Sequence, residues 1–115
     1  MTYRHMLLEL WVEDRSLVER VEPIRSIILE GAATVGMNII YEHFHQFSPH
    51  GMTGVMVLAE SHVTVHTWVE QGLAVVDVIS CGAEDPADLA AYLEERLRPI
   101  ARQISVQSRS VEREA

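Results

Sequence analysis

Residues 55–82, VMVLAESHVTVHTWVEQGLAVVDVISCG, determine the fold that we expect for this chain. Three runs within them are rich in valine and other β-formers, at residues 55–59, 63–68 and 73–79. Such runs are typical of β-strands, and the short gaps between them have the length of hairpin loops. This stretch therefore predicts three consecutive strands of an antiparallel sheet.

Two elements are predicted ahead of this stretch. Residues 5–13 alternate and are rich in Leu, Trp and Val, which indicates a strand. Pro23 suits the first turn of a helix that runs to about residue 35, and Gly36 ends it. That helix has one apolar face, which is formed by Ile24, Ile27, Ile28 and Ala32.

Further elements complete the predicted order. A second strand over residues 37–46 and a loop over residues 47–51, marked by Pro and Gly, precede the valine-rich runs. After a break at residues 82–85, Pro86 begins a second amphipathic helix, and residues 104–111 predict a last strand. The apolar side of this second helix carries Leu89, Leu93 and Leu97.

The order of the elements predicts an α+β fold. We expect a two-layer sandwich in which a mainly antiparallel sheet carries two helices on one face, because the helices are too few for a doubly wound sheet. A chain of 115 residues is long enough for one such core, so residues 1–115 are expected to form a single domain. The other face of the sheet then needs a partner, another domain or a polar lining.

Charge and cysteine content exclude some classes of function. The net charge is −8, so nucleic acid is not expected as a partner. No apolar run approaches the roughly 20 residues that cross a bilayer, so a membrane is not expected as a partner either. A single cysteine cannot form an intrachain disulfide, which fits a cytoplasmic protein. The arginines near the end are interspersed with acidic residues and predict a solvated face: Arg96, Arg98, Arg102, Arg109 and Arg113.

The tripeptide Glu60-Ser61-His62 is the first chemical signal in the chain. A serine hydroxyl can attack the preceding carbonyl, here that of Glu60, and removal of the serine α-proton can open the resulting ester. These steps need a base near Ser61 and hydrogen-bond donors for the developing oxyanion. His66 can supply the base from an adjoining strand segment, and the hydroxyl of Thr53 can orient it.

Self-cleavage of this kind leaves a pyruvoyl group, made from Ser61, as a built-in cofactor. Its carbonyl can form a Schiff base with an α-amino acid and accept electrons as the carboxylate leaves. The carbon that loses carbon dioxide then needs a proton, and the thiol of Cys81 can donate it. The residues therefore permit cleavage between Glu60 and Ser61 followed by decarboxylation, with no metal expected.

Residues 44–82, FHQFSPHGMTGVMVLAESHVTVHTWVEQGLAVVDVISCG, resemble the core motif of the S-adenosylmethionine decarboxylase proenzymes, the small prokaryotic, pyruvoyl-dependent type. The likeness in element order and spacing extends from about residue 5 to residue 109. It implies that Ser61 becomes the pyruvoyl group and that His66 and Thr53 take part in processing. It also implies that Cys81 is the proton donor.

The same resemblance implies a substrate pocket and an assembly. Phe47 matches an aromatic residue that stacks on adenine, Glu70 matches a carboxylate that binds ribose, and Trp68 is a further candidate for substrate contact. The family fold is a similar sandwich, usually a homodimer whose sites draw on both protomers. By resemblance, the substrate is S-adenosylmethionine and the product is used in polyamine synthesis.

Five positions depart from the pattern of the family. The differing residues are Val69 for proline, Leu73 for tyrosine, Ile79 for phenylalanine, Thr53 for serine and Gln46 for arginine. The processing residues are retained while residues around the pocket differ, so ornithine or arginine is the alternative substrate. Such a substrate carries a distal cation and needs an extra carboxylate in the pocket. The candidates for that carboxylate are Glu9, Glu42 and Glu70.

Structural roles compete with these assignments. Thr53 also suits a turn hydroxyl, Glu70 a solvated hairpin residue, and Cys81 a small buried hydrophobic residue. Phe47 and Trp68 also suit plain packing.

Two other functions stay open. His43 and His45 share one strand face, as do His62 and His66, so a metal-binding module is one alternative. A relative that does not process itself, and instead binds a ligand or regulates a partner subunit, is the other.

Overall fold

The structure is a computed structural model that describes residues 1–112 as one six-stranded sheet with helices on one face. The strands are β1 (Thr2–Trp11), β2 (Ile39–Gln46), β3 (Met52–Leu58), β4 (Ser61–Trp68), β5 (Leu73–Ser80) and β6 (Ala101–Ser110). The helices are α1 (Ser16–Glu19), α2 (Ile24–Thr34) and α3 (Pro86–Leu97), and one turn of 3-10 helix covers Val69–Gln71. The predicted fold class, with two long helices on an antiparallel sheet, is confirmed. The short helix α1 was not predicted.

The strand order in the sheet is β2-β3-β4-β5-β1-β6, and all neighbouring strands are antiparallel. Strands β2 to β5 follow one another as a meander, as the spacing of the valine-rich runs predicts. β1 lies between β5 and β6, so the first strand of the chain joins the meander to the last strand. In the β4–β5 register Ser61 lies opposite Ser80, which brings the next residue, Cys81, beside Glu60.

Helices α2 and α3 pack on the same face of the sheet through their apolar sides. α3 begins at Pro86, and the side chain of Asp85 accepts a hydrogen bond from the backbone N–H of Ala87 at 3.0 Å. Gly36 follows α2 with a φ of +91°, a left-handed conformation that ends the helix at little cost for glycine. All of the apolar residues that were predicted for the two helix faces are buried: Ile24, Ile27, Ile28 and Ala32 of α2 and Leu89, Leu93 and Leu97 of α3.

Alternation along the strands divides the sheet into two faces. On the face toward the helices, Met6, Leu8, Leu10, Val63 and Val65 are buried. No element within residues 1–112 packs over the opposite face, which we call the open face. Apolar and ionisable side chains share the open face, among them Leu7, Val55, Val57, His62, His66 and Asp77.

Element boundaries differ from the predictions by a few residues, with consequences for the site. β4 begins at Ser61, so this serine belongs to the strand ladder. β3 begins at Met52, so Thr53 lies within a strand and not just ahead of one. β6 is an edge strand with all of its residues exposed. Arg113 and the other two residues that end the predicted domain lie outside the described residues.

Candidate active site

The bond between Glu60 and Ser61 lies at the tight turn that joins β3 to β4. Ser61 pairs with Leu58 on one side and with Ser80 on the other. Its φ is +150°, a value that residues with a side chain rarely adopt. Backbone strain of this kind is concentrated at functional sites, and here it falls on Ser61, the residue predicted to become the pyruvoyl group.

The carbonyl oxygen of Glu60 accepts two hydrogen bonds from Cys81. The backbone N–H and the thiol Sγ of Cys81 each lie 3.0 Å from this oxygen. The carbonyl carbon is the atom that the hydroxyl of Ser61 would attack, so both donors already contact the oxygen on which negative charge would develop. The thiol is free and exposed. This geometry suits an oxyanion hole for cleavage as well as the predicted proton donation.

The side chain of Glu60 is held independently of its carbonyl. Its carboxylate accepts hydrogen bonds from the backbone N–H of Asn38 at 2.9 Å and from the side-chain amide of the same residue at 2.8 Å. These bonds, the backbone one first, lower the pKa of Glu60 below its ordinary value. Gly82 lies against this side chain, because a Cβ added there would be 2.7 Å from Cγ of Glu60. Hydrogen bonds therefore hold both the carboxylate and the backbone carbonyl of Glu60, the residue before the proposed cleavage point.

Three ionisable side chains extend from Ser61 across the open face. Nδ1 of His62 lies 3.4 Å from Oγ of Ser61, and Nε2 of His62 lies 3.6 Å from Oδ2 of Asp77. The other carboxylate oxygen of Asp77 is hydrogen-bonded to Nε2 of His5. We did not identify His5 or Asp77 from the sequence, because their proximity depends on β1 pairing with β5, far apart in the chain.

His66 and Thr53 form a second group of polar side chains. They lie opposite each other in the β3–β4 register, and Oγ1 of Thr53 is 3.1 Å from Nδ1 of His66. This is the contact that we expected between the two residues. The ring of Trp68 lies 6.1 Å from that of His66, centroid to centroid.

A pocket of about 430 Å³ opens beside this second group. Its volume is in the range of small-molecule sites. It contains the predicted processing residues Thr53 and His66 together with all three predicted substrate contacts, Phe47, Trp68 and Glu70. The remaining lining residues are Pro49, His50, Gly51, Met52, Thr67 and Val69.

The loop that carries Phe47 is tied to helix α1 by Gln46. The side-chain amide of Gln46 donates to the carbonyls of Glu19 and Gly51, each at 3.0 Å, and accepts from the backbone N–H of Val21 at 2.7 Å. Phe47 itself donates from its backbone N–H to the carbonyl of Gly51 at 2.8 Å. In the sequence Gln46 is only a departure from the family pattern, and its role in holding the pocket loop is visible only from these contacts.

The two groups of side chains are separated within one chain. Ser61 and His66 lie on the same strand, β4, and five residues at about 3.4 Å per residue place them about 17 Å apart. Cys81 and Glu60 belong to the Ser61 group, whereas Thr53 belongs to the His66 group. The expectation that His66 lies beside Ser61 on an adjoining strand segment is therefore wrong for a single chain.

The three candidate carboxylates for a distal cation lie in different places. Glu42 is bonded to the guanidinium of Arg25 on α2, and this pairing raises the pKa of Arg25. Glu9 lies on the open face, in a separate pocket of about 290 Å³ that β6 also lines. Glu70 lines the pocket, where its side chain is 75% exposed and 3.7 Å from Nε2 of His50. Of the three, Glu70 is the one in the pocket of predicted substrate contacts.

The described residues contain neither a metal-binding group of side chains nor a membrane-spanning helix. No group of three or more His, Cys, Asp or Glu side chains that could hold a metal ion occurs within residues 1–112. No helix in the same part of the chain is long and apolar enough to cross a membrane.

Comparison with known proteins identifies the class of protein. The sequence model of the family described as S-adenosylmethionine decarboxylase matches residues 4–110. The crystal structure of the adenosylmethionine decarboxylase from Aquifex aeolicus VF5 is similar, with a TM-score of 0.86 and 37% identity, over 98% of this chain and 94% of that chain. Fold and sequence together place the chain among the carboxy-lyases.

Curated relatives agree with this placement. The S-adenosylmethionine decarboxylase proenzyme of Aquifex aeolicus is 46% identical over 97 residues, which is 83% of this chain and 71% of the relative. That of Thermoanaerobacter sp. (strain X514) is 41% identical over 96 residues, 83% of this chain and 77% of the relative. The chain belongs to the S-adenosylmethionine decarboxylase family, so the predicted family and enzyme class are confirmed. The roles of individual site residues stay predictions.

Proposed function

We propose that this chain is a proenzyme that cleaves itself between Glu60 and Ser61 and then decarboxylates S-adenosylmethionine for polyamine synthesis. The observation that carries the proposal is the pair of 3.0 Å hydrogen bonds from Cys81 to the carbonyl oxygen of Glu60. They polarise the carbonyl that the adjacent serine must attack. A free thiol in this role suits the reducing conditions of a cytoplasm.

Cleavage begins when Oγ of Ser61 adds to the carbonyl carbon of Glu60, and negative charge develops on the oxygen held by Cys81. The C–N bond then breaks as the amide nitrogen takes up a proton, which leaves Glu60 esterified to Oγ of Ser61. Removal of the α-proton of Ser61 expels the carboxylate of Glu60 and forms dehydroalanine. After tautomerisation, water hydrolyses the imine and releases ammonia, leaving a pyruvoyl group.

The surroundings of Ser61 fit such a group. The pyruvoyl group supplies an electron-accepting carbonyl for the loss of carbon dioxide from an amino acid. It would lie at the start of β4, beside Cys81, which contacts Glu60 at 3.0 Å before cleavage. We assign the thiol of Cys81 as the donor that protonates the substrate carbon after carbon dioxide has left.

His66 and Thr53 complete this site when a second copy of the chain supplies them. About 17 Å of strand separates His66 from Ser61 in one chain, so the partner's His66 is the candidate for removing the α-proton of Ser61. A two-fold contact repeats the same pairing at both sites. The open face suits such a contact, because Leu7, Val55 and Val57 are 40%, 41% and 39% exposed there.

The pocket beside His66 favours S-adenosylmethionine over the smaller alternative substrates. Phe47 and Trp68 are 47% and 46% exposed and offer ring faces to a purine, and Glu70 offers a carboxylate to sugar hydroxyls. Ornithine or arginine would need the same carboxylate for its distal cation. Release of carbon dioxide from each of the three compounds, measured with the same preparation of processed enzyme, decides between them.

A denaturing intact-mass measurement tests self-cleavage. Two fragments are expected from the 13.0 kDa chain, one ending at Glu60 and the other beginning with a pyruvoyl group at position 61. Ser61→Ala is the matched control and should be uncut and inactive. An uncut wild-type chain that persists on incubation, or decarboxylation by the Ser61→Ala variant, would refute the proposal.

Co-expression of two inactive variants tests whether the site is shared. A dimer of one Ser61→Ala chain and one His66→Ala chain has one site with both essential residues and one site with neither. With random pairing, about half of the His66→Ala chains should be cut, because half of the dimers are mixed. His66→Ala chains that stay uncut in verified mixed dimers would show that the site is not built from two copies in this way.

A further inference from the structure

We infer that His62, held by Asp77 and His5, is the base that takes the proton from the hydroxyl of Ser61 in the first step of cleavage. The inference rests on the proposed self-cleavage and assigns a residue to a step that His66 of the same chain is too distant to perform. Its basis is a continuous row of side chains on the open face, Ser61, His62, Asp77 and His5, in that order.

Strand register brings the row together. His5 of β1 and His62 of β4 both lie opposite Ile79 of β5, one on each side. Asp77 is two residues from Ile79 on the same strand, so it projects from the same face and is a diagonal neighbour of both histidines. A carboxylate between two imidazoles is therefore a consequence of how three strands are paired.

The backbone of Ser61 brings its hydroxyl to this row. Consecutive side chains on a regular strand point to opposite faces, so Ser61 and His62 would normally diverge. With a φ of +150° at Ser61, its Oγ instead lies 3.4 Å from Nδ1 of His62. The unusual φ of Ser61 thus places its reacting hydroxyl beside the ring of His62.

Asp77 determines which nitrogen of His62 can act as the base. Its Oδ2 lies 3.6 Å from Nε2 of His62, longer than a hydrogen bond, yet close enough for the negative charge to favour a proton on that nitrogen. Nδ1 is then left with its lone pair toward the hydroxyl of Ser61. His5 fixes the carboxylate through the other oxygen of Asp77. Asp77 and His5 are positioning residues, since neither touches a reacting atom.

The proton is conserved through the step. Nδ1 of His62 accepts it from Oγ of Ser61 as the C–O bond to Glu60 forms, and the imidazolium is stabilised by Asp77. The imidazolium then returns the proton to the amide nitrogen of Ser61 as the C–N bond breaks. No other reactant is needed, and His62 is neutral again when the ester has formed.

The test follows cleavage of freshly made chain by intact mass, with and without hydroxylamine, which cleaves esters but not amides. His62→Asn keeps a hydrogen-bond acceptor near the position of Nδ1 but no base, and its cleavage should be slower by about 10²-fold or more. The uncut chain should be inert to hydroxylamine, because the block precedes the ester. His66→Ala should instead accumulate a chain that hydroxylamine cuts. His43→Asn makes the same change elsewhere on the open face and should cleave at the wild-type rate.

Two more variants separate chemistry from structure. Added imidazole should restore cleavage to His62→Ala, which a purely structural role would not allow. Asp77→Asn should slow cleavage by about 10-fold or more, and Asp77→Glu should recover part of the loss.

Wild-type rates in His62→Asn or in Asp77→Asn, or an ester trapped in His62→Asn, would overturn the inference while leaving self-cleavage intact. A wild-type chain that never cleaves would instead overturn the proposed function.

Discussion

Replacing Cys81 with alanine should slow self-cleavage and abolish decarboxylation, and the two effects have different causes. The carbonyl oxygen of Glu60 has two donors at 3.0 Å, the backbone N–H and the thiol of Cys81. Cys81→Ala removes the thiol but keeps the backbone donor. The oxyanion hole for cleavage is therefore weakened, while the donor that we assign to decarboxylation is lost entirely.

The expected size of the first effect follows from the strength of one hydrogen bond. A bond to a charged acceptor contributes about 1.5–3 kcal/mol, and a thiol is a weak donor, so the lower end applies. A loss of about 1.4 kcal/mol corresponds to roughly tenfold slower cleavage. Cys81→Ser retains a donor and should cleave faster than Cys81→Ala. Turnover should fall far more than cleavage in the alanine variant, because the substrate carbon has no other assigned acid.

The assay compares cleavage half-times of fresh wild-type, Cys81→Ser and Cys81→Ala chains by intact mass. It then measures carbon dioxide release per mole of cleaved protein, so that slow cleavage is not mistaken for slow turnover. Cleavage of Cys81→Ala at the wild-type rate would refute the role of the thiol in the oxyanion hole. Undiminished carbon dioxide release per cleaved chain would remove Cys81 as the proton donor.

Two predictions concern stability. The lowered pKa of Glu60, caused by its bonds from Asn38, means that this carboxylate stabilises the fold above its unfolded pKa and loses that effect as pH falls through the folded value. The thermal midpoint of Glu60→Gln should therefore decline less than that of the parent between about pH 5 and pH 3, and an equal decline in both would contradict the prediction. Gly72→Ala should destabilise by about 1–3 kcal/mol, because φ is +61° and a Cβ would lie 2.5 Å from the carbonyl oxygen of Val12. Gly36→Ala should lower the free energy of unfolding by less, because the nearest atom to its Cβ would belong to the flexible side chain of Glu84, at 3.5 Å. Denaturant titration of both variants measures the two losses, and a larger loss for Gly36→Ala would contradict this reasoning.

Local patterns in the sequence were sufficient to predict most elements of the fold. Valine-rich runs and the short gaps between them predicted the β3–β4–β5 meander, and Pro86 with its leucines predicted α3, because strand composition and helix periodicity are properties of neighbouring residues. The separation of His66 from Ser61 follows only from the observed start of β4 at Ser61, because five residues of one strand span about 17 Å. The prediction failed there because His66 was assigned to an adjoining segment.

The position of β1 between β5 and β6 was not readable from any local pattern, and it places His5 beside Asp77. Likewise, Cys81 donates to the carbonyl of Glu60 because Ser80 pairs with Ser61, a register between segments about twenty residues apart. The sequence alone determined which reactive groups the chain carries, their order and the elements that hold them. Only the tertiary structure decided which groups meet, because strand pairing is chosen by the burial of one whole face of the sheet and not by the residues of any one strand.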